Sequence, residues 1–325
     1  MTNAKMCIQW IKEYFDGNDE GKAIIGISGG KDSTIAAALC VEALGANRVI
    51  GVLMPNGEQS DIDDAREVCR VLEIDSHEIN IGSAYNNLMY AVQEQYTMRE
   101  LPPIVTTNTP ARIRMAVLYM IAGMHEGSRV VNTCNRSEDF VGYSTKYGDA
   151  AGDFSPLGHL TVREVLEIGD ELGLPHHLVH KAPSDGMCGK TDEDNLGFTY
   201  DELDNFVLGT GKVKEETKEK IMALHNATRH KYRPIPTFNP ILEQGVISAL
   251  DAAQTFDYSK QYRRGLRSES GIMDDAGTFT TDPHYQEEVK YNGIGDRAKD
   301  IVDMMCDAID CFGKKLDKRI NNNGN

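Results

Sequence analysis

The strongest constraint on the fold comes from one octapeptide, Gly26-Ile27-Ser28-Gly29-Gly30-Lys31-Asp32-Ser33. The apolar run before it, residues 23–25, predicts a buried strand, and the apolar run after it, residues 34–39, predicts a buried helix. A glycine turn between a strand and a helix points backbone N–H groups at a bound anion, because the first turn of a helix has unpaired donors. The octapeptide therefore predicts an anion-binding turn in an α/β sheet.

The side chains of this octapeptide suit a phosphate ligand accompanied by a metal ion. Gly29 and Gly30 have no Cβ, so we expect the backbone to reach φ > 0 and to approach a phosphate closely. Two serines supply hydroxyl donors, and Lys31 supplies a positive charge. A carboxylate beside phosphates is repulsive unless a cation lies between them, so we assign Asp32 as a Mg²⁺ ligand.

The spacing of the octapeptide distinguishes it from the common nucleotide-binding loops. It matches neither the Walker A motif nor Gly-x-Gly-x-x-Gly, and the alternative interpretation is a glycine turn without a ligand. The octapeptide resembles the pyrophosphate loop of the ATP pyrophosphatases, which release pyrophosphate while they adenylate a substrate. This resemblance implies a type of reaction and leaves the substrate open.

Strand and helix patterns alternate along the first part of the chain. We expect further strands over residues 48–53, 75–80 and 129–132, and helices over residues 7–15, 61–72, 84–94 and 109–124. The last helix is expected to have Thr109 as its cap and Pro110 at its first position. The alternation predicts an α/β fold with a doubly wound parallel sheet of the Rossmann type, which binds ligands at the carboxyl ends of its strands.

The strand signals fade after residue 134. Helices are expected over residues 162–172, 200–208 and 214–225, and an apolar stripe at helical spacing predicts a final amphipathic helix over residues 297–316. We therefore divide the chain into a domain of residues 1–240 and a mostly helical C-terminal extension of residues 241–325. The sequence assigns no role to the extension.

Composition excludes several classes of function. A net charge of −16 over 325 residues argues against a DNA or RNA partner, which would need a basic surface. The sequence contains no apolar stretch long enough to span a bilayer. Its cysteines number 7, an odd and scattered set without a Cys-x-x-Cys pair, which favours reduced thiols. We expect a soluble, cytoplasmic protein with no nucleic-acid or membrane partner.

Further motifs follow the octapeptide in a defined order. They are Asn108-Thr109-Pro110-Ala111-Arg112-Ile113-Arg114-Met115, Asn132-Thr133-Cys134-Asn135-Arg136-Ser137-Glu138, Thr145-Lys146-Tyr147-Gly148-Asp149, Pro156-Leu157-Gly158-His159-Leu160, Lys181-Ala182-Pro183-Ser184, Thr191-Asp192-Glu193-Asp194 and His230-Lys231. Together they resemble the ammonia-dependent NAD⁺ synthetases over about residues 5–238. The resemblance implies an adenine nucleotide α-hydrolase-like fold and a homodimer with the dinucleotide at its interface.

The resemblance also implies a ligase reaction. The nicotinate carboxylate of deamido-NAD⁺ would attack the α-phosphate of ATP, release pyrophosphate and become a mixed anhydride with AMP. Ammonia would then displace AMP and give NAD⁺. Little covalent protein chemistry is needed, so positioning and charge neutralisation would supply most of the rate. The implied substrates are deamido-NAD⁺, ATP and ammonia, and the implied cofactor is Mg²⁺.

Site residues follow from the same resemblance. The ATP contacts would be Gly26, Ile27, Ser28, Gly29, Gly30, Lys31, Asp32, Ser33, Thr133 and Ser184. The deamido-NAD⁺ contacts would be Arg112, Lys146, Asp153, His230 and Lys231. Glu138 would join Asp32 on the metal ion, and Asp149 is the candidate for taking a proton from the attacking ammonia, with Lys31 as a second catalytic candidate. The alternative interpretations are that Arg112 and Arg114 are exposed helix charges and that Glu138 neighbours a helix cap.

The sequence departs from the family pattern near the ATP site. Val162 stands where the family has a lysine that reaches ATP, and Arg163 follows it. Either Arg163 substitutes or the contact is lost, and substitution is disfavoured because adjacent helix residues point about 100° apart. Lys31 stands where many relatives have glutamine, an exchange that could bring extra positive charge to the phosphates.

Two other classes of protein remain as alternatives. Another pyrophosphate-loop ligase, such as a tRNA-modifying enzyme, would favour a basic surface and paired cysteines, which this chain lacks. A non-catalytic nucleotide-binding relative would not need both Asp32 and Glu138. For the nitrogen donor we expect free ammonia, because glutamine use requires a second active site and residues 1–25 are too few to form one ahead of the loop.

Overall fold

A computed structural model describes residues 1–59, 61–96, 100–181 and 191–236, together with the backbone of residues 272–273 and 279–280. The chain divides into one compact unit, Met1–Tyr232, and a second unit, Arg233–Asn325. In the second unit, the strands Ile272–Met273 and Phe279–Thr280 pair antiparallel. The helix predicted over residues 297–316 lies outside the described residues, and the domain division at residue 240 stays a prediction.

The described part of the first unit alternates strands and helices. Its strands are β1 (Ala23–Gly26), β2 (Val49–Leu53), β3 (Asp75–Glu78) and β4 (Arg129–Val130). Its α-helices are α1 (Asn3–Tyr14), α2 (Lys31–Leu44), α3 (Ile62–Val71), α4 (Gly82–Tyr96), α5 (Pro103–Gly123), α6 (Arg136–Val141), α7 (Val162–Glu171), α8 (His176–Val179), α9 (Asp192–Leu196), α10 (Tyr200–Val207) and α11 (Glu215–Thr228). Short 3₁₀ turns occupy Ala46–Arg48 and Arg229–Lys231. None of the helices among these residues is both long and apolar enough to cross a membrane.

The sheet is parallel, with strand order β3-β2-β1-β4. The chain moves outward from β1 through β2 to β3 and then returns to place β4 on the other side of β1. The direction of winding therefore reverses between β1 and β4, and open α/β sheets bind ligands beyond the carboxyl ends of the strands at such a switch point. The predicted doubly wound fold is confirmed, with the octapeptide directly after β1.

Hydrophobic clusters on both faces of the sheet hold these elements together. Ile25 belongs to the cluster formed with α1, α2, α7 and α8, whereas Ile24 belongs to the cluster formed with β2, β4 and α5. Successive residues of a strand point to opposite faces, so β1 must be apolar at both positions. Helix α2 fits against the sheet through a run of small residues, Ala36, Ala37 and Ala38, all of them buried.

Two helices begin well before the predicted residue: α1 begins at Asn3 rather than at Cys7, and α5 shows the larger difference. Helix α5 begins at Pro103 rather than near Thr109, and Pro110 lies buried inside the helix. A proline is tolerated at the first turn of a helix, so Pro103 satisfies the same rule that was applied to Pro110. The interior proline removes one backbone donor, while Thr109 bonds through its hydroxyl to the carbonyl of Val105 at 2.6 Å.

Backbone pairing at the edge of the sheet continues beyond the last residue of β4. Val131 forms a parallel bridge with Phe154, and the N–H of Asn132 donates to the carbonyl of Phe154 at 2.8 Å. The N–H of Asp153 donates to the carbonyl of Val130 at 2.8 Å. This pairing connects the polar region after residue 134 to the end of β4, where the sequence pattern indicated only loops.

Candidate active site

The octapeptide spans the last residue of β1, the turn after it and the first residues of α2. Gly29 has φ of +79°, and a Cβ there would lie 2.9 Å from the backbone nitrogen of Ala65. Gly30 has φ of −83° and is the N-cap residue of α2, so the expectation of positive φ holds for Gly29 only. None of the described side chains caps this helix, which leaves N–H groups of its first turn for an anionic ligand.

The two serines of the octapeptide hold the turn closed. Ser28 Oγ and Ser33 Oγ lie 3.1 Å apart in a hydrogen bond, and the N–H of Gly30 donates to Ser28 Oγ at 3.2 Å. Ser33 Oγ also donates to the carbonyl of Gly30 at 3.1 Å. The hydroxyls predicted to donate to phosphate thus shape the loop themselves.

An ion pair lies at the start of α2. Lys31 Nζ is 2.8 Å from Asp32 Oδ2, and the two side chains are 7% and 17% exposed. The ammonium group also lies 5.5 Å from the ring centre of Tyr200. Burial acts to lower the pKa of Lys31, but the nearby carboxylates of Asp32 and Glu138 outweigh it, so the pKa is raised and the group stays charged.

A second carboxylate reaches the same place from the segment after β4. Asn135 caps α6 by accepting from the N–H of Glu138 at 3.0 Å, and Glu138 accepts from the N–H of Asn135 at 3.5 Å. Burial and the charge of Asp32 raise the pKa of Glu138 well above its usual range. Glu138 therefore neighbours a helix cap, as the alternative interpretation held. Its carboxyl group also lies close enough to Asp32 for that charge to raise its pKa.

Asn135 connects the two acidic residues and was not singled out from the sequence. Its side chain is fully buried, and its Nδ2 donates to Asp32 Oδ1 at 3.0 Å across 103 residues of sequence. The capping-box spacing of Asn135 and Glu138 could have identified the cap. No local sequence pattern predicts the hydrogen bond from Asn135 to Asp32.

The donor set around Asp32 fits a Mg²⁺ ion that is shared with a nucleotide. Asp32 and Glu138 offer hard carboxylate oxygens from neighbouring strand ends. The described residues include no group of 3 or more His, Cys, Asp or Glu side chains that could hold a metal by themselves. Mg²⁺ typically takes one or two carboxylates and completes its shell with water and substrate phosphates, so two carboxylates suffice.

Another ion-pair cluster borders the octapeptide on the side of α3. Lys181 Nζ lies 2.5 Å from Asp64 Oδ2 and 3.4 Å from Asp61 Oδ2. Asp64 in turn packs against Gly29, because a Cβ on Gly29 would lie 2.9 Å from Asp64 Cβ. Lys181 opens the predicted motif of residues 181–184, and Ser184 lies outside the described residues.

The cationic residues predicted to bind the dinucleotide come together around residues 142–147. Arg112 is exposed on α5, and its Nε donates to the carbonyl of Lys146 at 3.3 Å. Lys146 Nζ donates to the carbonyl of His230. Lys231 Nζ donates to the carbonyls of Gly142 and Ser144 at 2.6 and 2.9 Å. These contacts bring Arg112, Lys146, His230 and Lys231 into one group.

Asp149 lies at the edge of this group. Its Oδ1 accepts from the N–H of Thr145 at 3.0 Å, and its carbonyl accepts from Asn132 Nδ2 at 3.0 Å, which anchors it to the end of β4. Burial lowers the pKa of Lys231, and the charge of Asp149 acts against that shift, so the two charges are neighbours. Thr133, the predicted ATP contact, directly follows Asn132 and is partly exposed.

Asp153 has protein partners for both carboxylate oxygens. Its Oδ2 accepts from the N–H of Val130 at 2.7 Å, and its Oδ1 accepts from the hydroxyl of Tyr119 at 3.3 Å. It also lines an open cavity of about 450 Å³ with Tyr119 and Arg129. These contacts give Asp153 a structural part at β4, and its contact with deamido-NAD⁺ stays a prediction.

The departure at Val162 has a clear structural consequence. Val162 is buried at the first position of α7 and packs in the cluster that contains Tyr200. Arg163 Nη2 donates to Asp201 Oδ1 at 2.6 Å and to Asn205 Oδ1 at 3.0 Å. Its guanidinium group is therefore bound to α10, and the part of Arg163 in binding ATP stays a prediction.

The doubly wound sheet, the glycine turn at its switch point and the acidic residues from two strand ends define a nucleotide-binding α/β enzyme. Comparison with known proteins refines this class. The model of the NAD synthase family matches residues 3–236. The chain belongs to the NAD synthase family.

Individual relatives support the same assignment. The NH(3)-dependent NAD(+) synthetase of Methanococcoides burtonii is 42% identical over 218 residues, which are 65% of this chain and 81% of that protein. The enzyme of the same name from Finegoldia magna is 33% identical over 73% of this chain and 97% of that protein. Among solved structures, the NMN synthetase from Francisella tularensis matches with a TM-score of 0.66 and 34% identity, covering 73% of this chain and 97% of that one. The NH3-dependent NAD synthetase from Campylobacter jejuni matches with a TM-score of 0.57 and 25% identity over the same shares.

Proposed function

We propose that this chain is an ammonia-dependent NAD⁺ synthetase, a carbon–nitrogen ligase that converts deamido-NAD⁺, ATP and ammonia to NAD⁺, AMP and pyrophosphate. The observation that carries the proposal is the octapeptide, whose Lys31–Asp32 pair meets Glu138 at the switch point of the sheet. Family membership supplies the reaction, because the curated relatives with this domain are named NH(3)-dependent NAD(+) synthetases.

The first half-reaction is the adenylation of the nicotinate carboxylate. The N–H groups at the start of α2 and the Lys31 ammonium would hold the phosphates of ATP and stabilise the charge of the leaving pyrophosphate. Thr133 and Ser184 would bind the same nucleotide. Asp32 and Glu138 would hold Mg²⁺, which when bound neutralises phosphate charge. Rate enhancement then comes from position and charge rather than from a protein nucleophile.

The second half-reaction is the attack of ammonia on the mixed anhydride. Arg112, Lys146, His230 and Lys231, which the contacts around residues 142–147 bring together, would hold deamido-NAD⁺ with help from Asp153. An arginine can bind a phosphate or a carboxylate through two parallel hydrogen bonds, so Arg112 suits either group. Asp149 lies beside these cations and is proposed to accept the proton that the attacking ammonia loses.

The assembly proposed for the enzyme is a homodimer. Helix α4 buries only Gly82, and α5 buries only Pro110, Ile121 and Ala122. Exposed apolar side chains on these helices are Leu88, Tyr90, Val92, Tyr96, Ile104, Tyr119 and Met120. The two helices contact each other, so their exposed apolar side chains favour an interface that a second copy would cover. Light scattering after size exclusion should give the dimer mass, and a monomer at micromolar concentration would contradict the proposal.

We also place the enzyme in the cytoplasm. Among the described residues, Cys7, Cys40, Cys69 and Cys134 are free and buried. Reduced thiols are typical of cytosolic proteins.

The decisive experiment is an assay of the purified chain with ATP, Mg²⁺, ammonium and deamido-NAD⁺, in which pyrophosphate and NAD⁺ are both measured. Stoichiometric formation of the two products supports the proposal. Pyrophosphate release without NAD⁺ would indicate another pyrophosphate-loop ligase, and no release would indicate a nucleotide-binding relative without catalysis.

The likeness to an NMN synthetase favours one competing substrate. Nicotinic acid mononucleotide carries the same carboxylate without the AMP half, so the same chemistry would turn it into NMN. The ratio of kcat/KM for the two acids decides between them, and a higher value for the mononucleotide would replace deamido-NAD⁺ in the proposal. Glutamine in place of ammonium tests the nitrogen donor, and comparable turnover with glutamine would contradict ammonia dependence.

A further inference from the structure

Both oxygens of the Asp32 carboxylate have partners within the protein. Oδ1 accepts from Asn135 Nδ2 at 3.0 Å, and Oδ2 lies 2.8 Å from the Lys31 ammonium. The Asn135 amide is fully buried and held by the cap of α6, so it orients the carboxylate. Lys31 is therefore the cation paired with the carboxylate that is proposed to hold the metal ion.

The Lys31 ammonium group also contacts α10, through the ring of Tyr200. It lies 5.5 Å from the ring centre of Tyr200, within the range of a cation–π contact. The position of that ring is determined by α9, because the N–H of Tyr200 donates to Glu193 Oε1 at 2.8 Å and its hydroxyl donates to Asp192 Oδ2 at 3.5 Å. With 7% of its side chain exposed, Lys31 is a built-in part of the site rather than a surface charge.

Nearby cations of the described chain are bound elsewhere. Arg163 pairs with Asp201 on α10. Lys181 pairs with Asp61 and Asp64 beside α3. Lys31 pairs with Asp32 and its charge also acts on the Glu138 carboxyl group.

We propose that Lys31 is an internal counter-ion that occupies Asp32 in the free enzyme, so that a divalent cation binds only together with the nucleotide. The inference rests on the proposed function, since it takes Asp32 and Glu138 as the metal ligands. A divalent ion held by Asp32 would be repelled by the Lys31 ammonium group that pairs with the same carboxylate. Phosphate oxygens would relieve that repulsion, because Lys31 would donate to them and their negative charge would favour the cation.

The consequence is strong coupling between metal and nucleotide. In the free enzyme a divalent ion would have to displace Lys31 from its buried pair with Asp32, and this requirement would weaken metal binding. With a nucleotide bound, Lys31 has phosphate partners and Asp32 is available. By linkage, the metal increases the affinity for the nucleotide by the same factor.

The test uses Mn²⁺ as the probe, with free Mn²⁺ measured by electron paramagnetic resonance on the purified full chain. Binding is measured without nucleotide and with a non-hydrolysable α,β-methylene analogue of ATP. We expect Lys31→Gln to tighten Mn²⁺ binding without nucleotide by about tenfold or more, because it removes a unit charge a few ångströms from the metal. Lys31→Met removes the same charge without a hydrogen-bonding group and should give the same direction.

A matched control separates this local effect from a change in net charge. Lys218 forms an ion pair with Glu215 on α11 at 3.0 Å, so Lys218→Gln changes the net charge equally at a distant pair. It should change Mn²⁺ affinity by less than about twofold, as surface charges are screened. Adding Asp32→Asn to Lys31→Gln should remove the gain.

The outcomes distinguish the inference from the proposed function. If the Lys31 variants bind Mn²⁺ without nucleotide no better than the wild type, while Asp32→Asn abolishes the analogue-dependent binding, the counter-ion role is overturned and the metal site stands. If the Lys31→Gln, Asp32→Asn double variant binds Mn²⁺ as well as Lys31→Gln, Asp32 is not a ligand and the proposed metal site itself fails. Circular dichroism of each variant confirms that the fold is retained.

Discussion

Gly29→Ala tests the loop geometry most directly. Gly29 has φ of +79°, and a Cβ there would lie 2.9 Å from both the backbone nitrogen of Ala65 and Asp64 Cβ. The left-handed backbone costs a residue with a Cβ about 1–2 kcal/mol. Overpacking against backbone adds about 1–3 kcal/mol. The lower entropy of the unfolded chain offsets about 0.4–1 kcal/mol of this sum. We therefore expect a net loss of about 1–5 kcal/mol.

Gly30→Ala is the matched control for this change. Gly30 has φ of −83°, and an added Cβ would meet only the rotatable Ser28 Oγ at 3.3 Å. Its loss of stability should therefore stay below about 1 kcal/mol. Both variants are compared by urea unfolding, and calorimetry of an ATP analogue should show weakened binding for Gly29→Ala. Equal unfolding free energies for the two variants would refute the steric argument.

Three further predictions concern carboxylates. Glu138→Gln should keep the α6 cap and the folded state, as circular dichroism would show, yet lower pyrophosphate release at least about 100-fold; near wild-type turnover would remove Glu138 from the metal site. Asp153→Asn leaves one acceptor for the N–H of Val130 and the hydroxyl of Tyr119, so urea unfolding should show a loss of about 1–2 kcal/mol, and no loss would contradict its structural part. Burial raises the pKa of Asp204, so the wild type loses stability as the pH rises from the ordinary aspartate value through that raised pKa. The Asp204→Asn variant does not titrate at this position, so its free energy of unfolding relative to the wild type should be higher at pH 7 than at pH 4. The reverse order would contradict the direction of the pKa shift.

Local pattern alone was sufficient for much of the fold. The apolar run before the octapeptide and the small-residue run after it predicted β1 and α2, because a strand buried on both faces and a helix packed on it must be apolar throughout. The α7 boundary near Val162 was predicted as well. The ordered motifs led to the NAD synthase family, which the family comparison confirmed.

Local rules failed where two positions satisfied the same rule. Both Pro103 and Pro110 are acceptable at a helix start, and the helix begins at Pro103 although the α5 residues that pack in the sheet-facing cluster lie between Ile113 and Ala122. The short helices α6, α8 and α9 were not predicted, because a run of 4–6 residues is too short for a periodic pattern.

The sequence by itself determined which residues can do the chemistry: a glycine turn, a lysine and carboxylates that suit phosphates and Mg²⁺. Only the tertiary structure decided how they meet. The bond from Asn135 to Asp32 joins residues 103 positions apart, and the pair of Lys181 with Asp64 joins residues 117 positions apart. The contact of Lys31 with the Tyr200 ring depends on the docking of α10. Such contacts arise when distant elements pack at one edge of the sheet, and periodicity within a local window carries no information about them.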